Sequence, residues 1–94
     1  MANLRRYLIE REIAGVGDMS VVELCGAART SNCAIDELKP NIQWQHSYVA
    51  GDRTFCIYLA DGEETIRKHS EISGFPASRI TEIPQIIDPV TANN

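Results

Sequence analysis

The stretch IQWQHSYVAGDRTFCIYLA, residues 42–60, decides the fold. Ile42–Val49 and Thr54–Ala60 are rich in aromatic and branched residues and read as two strands. Gly51-Asp52 between them is a short hairpin signal. A two-residue turn there pairs Ala50 with Arg53. Tyr48 then opposes Phe55, His46 opposes Ile57, and Trp44 opposes Leu59. One face collects Ile42, Trp44, His46, Tyr48, Phe55, Ile57 and Leu59. The other collects Gln43, Gln45, Ser47, Val49, Thr54, Cys56 and Tyr58. A three-residue loop would slip the register and mix the two sets. The first register separates apolar from polar better, and its apolar face is expected beneath helices. His46 and Cys56 then point to opposite sides of the sheet.

Working outward, Arg5–Ile13 alternates. Tyr7, Ile9 and Ile13 share one face, and Leu8, Glu10 and Glu12 share the other, with Arg11 opposite the two glutamates. Two glycines, Gly15 and Gly17, mark a loop. Ser20 and Glu23 form a capping box and start a helix. Val21, Leu24, Cys25, Ala28, Ile35 and Leu38 recur at helical spacing as its expected buried stripe. Pro40 follows its end. Asp61 is placed to cap a second helix, with Glu63 and Glu64 suiting the positive end of the helix dipole. Ile66, His69, Ile72 and Ser73 share a face of that helix. Gly74 and Pro76 stop it. Arg79–Ile87 is the last strand, and Pro84 favours a sheet edge. Residues 88–94 read as a flexible tail.

The order strand, helix, strand, strand, helix, strand is that of the ferredoxin-like βαββαβ fold, an α+β class. Right-handed crossovers give an antiparallel four-stranded sheet of order 4-1-3-2 with two helices on one face. Residues 1–94 make a single domain.

Composition narrows the function. The chain is 44% hydrophobic with a formal charge of −4, so it lacks the basic stripe that a nucleic-acid partner requires. No apolar run is long enough to cross a bilayer. Glu10 and Glu12 break what would otherwise resemble a signal peptide. Cys25, Cys33 and Cys56 are an odd number at irregular spacing, which suits reduced thiols in a cytoplasmic protein.

The residues that carry chemistry are few. His46 and His69 could give imidazole nitrogens to nickel, zinc or copper, and Cys56 a thiolate. Spacing alone favours structural roles for all three. Two histidines leave a metal site incomplete, so further donors would come from Glu10, Cys56, water or a second chain. Glu10 and Glu12 suit cross-strand pairing better than acid–base work. Cys25 reads as core. There is no nucleophile elbow or phosphate-cradling glycine loop.

The motifs YLIEREI, Trp44-x-His46-Ser47-Tyr48, Cys56-x-Tyr58 and Gly74-Phe75-Pro76-Ala77, with the terminal IDP, span nearly the whole chain. Together they resemble a small bacterial family of formerly unknown function, ferredoxin-like and tending to be dimeric, part of which is described as nickel-binding. The two histidines and the resemblance together lead to the expectation of a non-enzymatic homodimer that binds nickel or another divalent transition metal, and the open sheet face carrying Val49, Cys56 and Tyr58 is the expected surface for the second copy. His46 would be the main ligand, with His69 or Cys56 assisting. A rival expectation is a small-molecule binder or enzyme of the dimeric α+β barrel type, with Tyr7, Trp44, His46 and His69 around a pocket between sheet and helices. A third is a plain interaction module whose open sheet face is its functional surface.

Overall fold

The computed structural model describes residues 3–93. Its elements are β1 (Arg5–Glu12), α1 (Val21–Leu38), β2 (Ile42–Ala50), β3 (Arg53–Ala60), α2 (Glu63–Ser73) and β4 (Arg79–Ile83). They form one sheet of order β2-β3-β1-β4, with every neighbouring pair antiparallel. Read from the other edge, this is the expected order, and the fold is ferredoxin-like. Among the described residues no helix is long and apolar enough to cross a membrane.

The local signals act as the sequence predicts at several points. Ser20 Oγ accepts the Glu23 backbone N–H at 3.1 Å, and the Glu23 carboxylate accepts the Ser20 N–H at 2.9 Å. These bonds to Ser20 hold the Glu23 carboxyl below its ordinary range. Gly74 closes α2 at φ 81°, a left-handed conformation that favours glycine, and its N–H bonds to the Ser70 carbonyl. β4 lies at an edge and ends at Ile83, short of the expected Ile87, because Pro84 has no N–H for the ladder. Asp61 is not the cap of α2. Gly62 holds that position, and the Asp61 carboxylate accepts the Thr65 hydroxyl instead. In the expected tail, Pro89–Asn93 forms a short 3-10 turn begun by Asp88, whose carboxylate accepts the Val90 N–H at 2.9 Å. Its last residue, Asn94, lies outside the described residues.

The hairpin register agrees from the turn as far as His46. Ala50 pairs with Arg53, Tyr48 with Phe55 and His46 with Ile57. A bulge between Trp44 and His46 then inserts Gln45, so that Trp44 pairs with Tyr58 rather than Leu59. The expectation of which face lies under the helices is overturned. Tyr7, Ile9, Ile42, Cys56, Tyr58, Ala60 and Ile66 form the buried core, with Trp44, Ile35, Leu38 and Ile80 packed against it. Cys56 and Tyr58 therefore lie on the covered side. Strand alternation sends Phe55, Ile57 and Leu59, with Leu8, His46 and Tyr48, to the open side. The bulge explains why Ile42 and Trp44 face the helices while His46 and Tyr48, two and four positions further on, do not.

The expected stripe of α1 is also displaced. Val21 is 85% exposed, and Leu24 and Cys25 are exposed too, so Cys25 is not core. Ser31 and Ala34 are buried instead, with Ile35 and Leu38 partly so. The first turns of α1 stand over a cavity rather than on the sheet, and Leu24, Ala27 and Ala28 line it.

The loop after β1 is stitched to the hairpin tip. Ile13 N–H bonds to the Asp52 carbonyl at 2.8 Å, Gly15 N–H to the Asp52 carboxylate at 2.9 Å, and Gly17 N–H to the Gly51 carbonyl at 2.8 Å. The approach at position 17 demands glycine, because a Cβ there would lie 2.6 Å from the Gly51 oxygen.

Candidate functional site

Alternation along β1 turns Arg11 inward beside Tyr7 and Ile9, and its side chain is 2% exposed. A guanidinium in that position needs acceptors. Nη1 shares its two hydrogens among Ser70 Oγ at 3.1 Å and the carbonyls of Phe75 at 3.2 Å and Pro76 at 2.9 Å. Nη2 lies 3.5 Å from His69 Nδ1. The guanidinium carbon is 5.8 Å from the centre of the Tyr58 ring, in range for a cation–π contact. The ion pairs of the fold lie elsewhere. Among the described residues, carbonyl, hydroxyl, imidazole and ring dipoles surround the Arg11 charge, and no carboxylate neutralises it.

His69 comes to Arg11 from α2 and is wholly buried. Arginine can only donate, so Nδ1 is the acceptor and the ring proton sits on Nε2. Nε2–H then donates to Ser31 Oγ at 3.1 Å. Ser31, from α1, lies 3.4 Å from the Tyr58 hydroxyl. Burial, and then the Arg11 charge, lower the His69 pKa from 6.5 to about 4, so the imidazole is neutral near pH 7. Burial raises the Tyr58 hydroxyl, against smaller opposing effects of Ser31 and Arg11. Two strands and both helices thus meet in one hydrogen-bonded chain, Arg11–His69–Ser31–Tyr58.

A cavity of about 130 Å³ lies beside this chain, between the sheet and α1. Arg11, Ser31, Trp44, Thr54, Cys56 and Tyr58 are on its wall, and most of its lining surface is apolar. Leu24 and Val49, 36% and 43% exposed, also line it and mark its solvent side. Of the four residues expected around a pocket in this place, Trp44 lines the cavity, and Tyr7, His46 and His69 do not.

The expected metal residues are divided between the faces. His46 is exposed on the open face, opposite Ile57, with Nε2 3.1 Å from the Tyr48 hydroxyl and the two rings edge to face. Cys56 is buried on the covered face, its Sγ 3.5 Å from Thr54 Oγ1. His69 is on that covered side too, with both ring nitrogens engaged. Among the described residues no group of three or more His, Cys, Asp or Glu side chains could hold a metal ion. Beside a guanidinium, His69 is poorly placed to attract any cation. Glu10 and Glu12 pair across strands, Glu12 with Arg53 at 3.0 Å, and Glu10 with Arg53 at 3.7 Å and Arg79 at 3.8 Å.

The residues that sequence reasoning passes over are Arg11, Ser31 and Tyr58. Arg11 does leave a signal: it is a charge set between Ile9 and Ile13 on the apolar face of its strand. Ser31 leaves less, because a serine in a helix interior is common on either side.

Residues 7–83 match the family model described as nickel responsive protein SCO4226-like. No match was found among curated proteins. Among solved structures, the chain is similar to the crystal structure of SCO4226 from Streptomyces coelicolor A3(2), with a TM-score of 0.72 over 87% of this chain and 99% of that one. Sequence identity there is 16%, so this likeness concerns the fold alone. The family match spans most of the chain, from the middle of β1 to the end of β4, and the chain therefore belongs to the SCO4226-like family of nickel responsive proteins.

Proposed function

We propose that this chain is a non-enzymatic, homodimeric protein that responds to nickel or another divalent transition metal by holding the ion between two copies, with His46 as the main ligand. The family description supports the metal. The observation that carries the choice of residue is the position of His46, the exposed imidazole on edge strand β2 of an open face that also presents Leu8, Phe55, Ile57 and Leu59. Among the described residues a single chain brings no three donors together, and its second histidine is locked beside Arg11. A two-fold pair changes that, because each copy offers the same patch and the two imidazoles are pooled. Water or carboxylate oxygens are compatible further donors for nickel. His69 and Cys56 have no part in this site and serve the covered face.

Calorimetric titration of tag-free protein with nickel chloride tests the proposal. Binding should saturate with fewer ions than chains, persist in Cys56→Ser, and vanish in His46→Ala. No heat with the unaltered chain, or unchanged binding in His46→Ala, would overturn it.

A further inference from the structure

We infer that the cavity between the sheet and α1 binds a small monocarboxylic acid with a compact apolar body, its carboxylate directed to Arg11.

Size sets the first limit. A cavity of about 130 Å³ compares with the roughly 150 Å³ apolar cavity that holds benzene in an engineered protein. The occupant is therefore about one aromatic ring or a short branched chain. The lining sets the second. Its surface is mostly apolar, supplied by residues such as Ile13, Leu24, Ala28 and Phe75. A sugar, a nucleotide or a phosphate dianion would leave most of its hydrogen-bonding groups without partners there.

Charge sets the third. Arg11 is on the wall, 2% exposed, and among the described residues no carboxylate pairs with it. Among the described residues its hydrogen bonds leave from Nη1 and Nη2, and none leaves from Nε. A buried guanidinium surrounded only by neutral dipoles is a site of positive potential in a medium of low dielectric. A carboxylate is planar and singly charged and matches the guanidinium fork, whereas a neutral hydroxyl gains much less. Ser31 and Tyr58, hydroxyl groups on the same wall, share one proton in their mutual bond and keep one to donate to a second carboxylate oxygen. The site is independent of His46, which lies on the other side of the sheet.

Trp44 lines the cavity and is the single tryptophan of the chain, so its emission reports occupancy directly. Benzoate and benzyl alcohol, alike in shape and different in charge, are the probes. Benzoate should change the Trp44 emission saturably and raise the melting temperature. Benzyl alcohol should bind more weakly by at least about tenfold, the charge-assisted bond being absent. Ala28→Leu fills the cavity from the α1 side and leaves Arg11 itself unaltered, and should abolish the benzoate response while keeping the far-ultraviolet circular dichroism of the unaltered chain. Absence of a saturable benzoate response would overturn the inference. Equal affinity for the two probes would do the same, as would benzoate binding that survives in folded Ala28→Leu.

Discussion

His69 is enclosed on both ring nitrogens, by Arg11 on one side and Ser31 on the other. Its pKa of about 4, against an ordinary 6.5, makes it a source of acid sensitivity. Above pH 6.5 neither the folded nor the unfolded chain protonates it, and it adds no slope to stability. As the pH falls from 6.5 to 4 the unfolded chain takes up the proton and the folded chain does not, so stability declines. Below that the slope ends. The decline across the window is about 3 kcal/mol. In urea titrations, His69→Gln should therefore lose less stability than the unaltered chain between neutral pH and pH 4, by about that amount. Equal losses in the two would refute the assignment. At this scale the sequence is partly legible. That Arg11 and His69 face inward can be read from strand and helix spacing. That Arg11 finds the carbonyls of Phe75 and Pro76, far along the chain, depends on where the loop after α2 is brought by the fold.

Elements defined by adjacent residues are the most legible. The Ser20–Glu23 box, the Gly51-Asp52 turn and the Gly74 stop each depend on a few neighbouring positions, and each forms as read. Ser20→Ala removes one half of the box and should cost about 1 kcal/mol, read as a lower urea midpoint at unchanged slope. A midpoint unaltered in that variant would mean that tertiary packing, not the cap, sets the start of α1. The bulge at Gln45 is not legible, because IQWQHSYV alternates as well without it. One inserted residue rotates His46 to the far side of the sheet from Trp44. The stripe of α1 misleads for a different reason. Val21, Leu24 and Cys25 have helical spacing, yet spacing does not say whether the sheet extends beneath those turns or a cavity does.

In the molecule as a whole, the choice between the two sheet faces turns on what apolar residues imply. Phe55, Ile57 and Leu59 look like core, and in a single copy they line the side without helices. A sheet that is apolar on both faces calls for a cover on both. Pairing of two copies through this face is the proposed cover. Ile57→Glu, at the middle strand of the patch, should shift the protein from dimer to monomer in analytical ultracentrifugation while leaving its circular dichroism intact. A dimer that persists in Ile57→Glu would place the interface elsewhere. The loop stitched to the hairpin tip has a consequence for motion. The loop supplies Ile13, Val16 and Met19 to the cavity wall, and the hairpin arm supplies Val49. Since Gly17 rests directly on the Gly51 carbonyl, neither segment can swing away while the other stays. They move as one leaf, and traffic through that end of the cavity is set by how often the backbone bonds of the leaf break together.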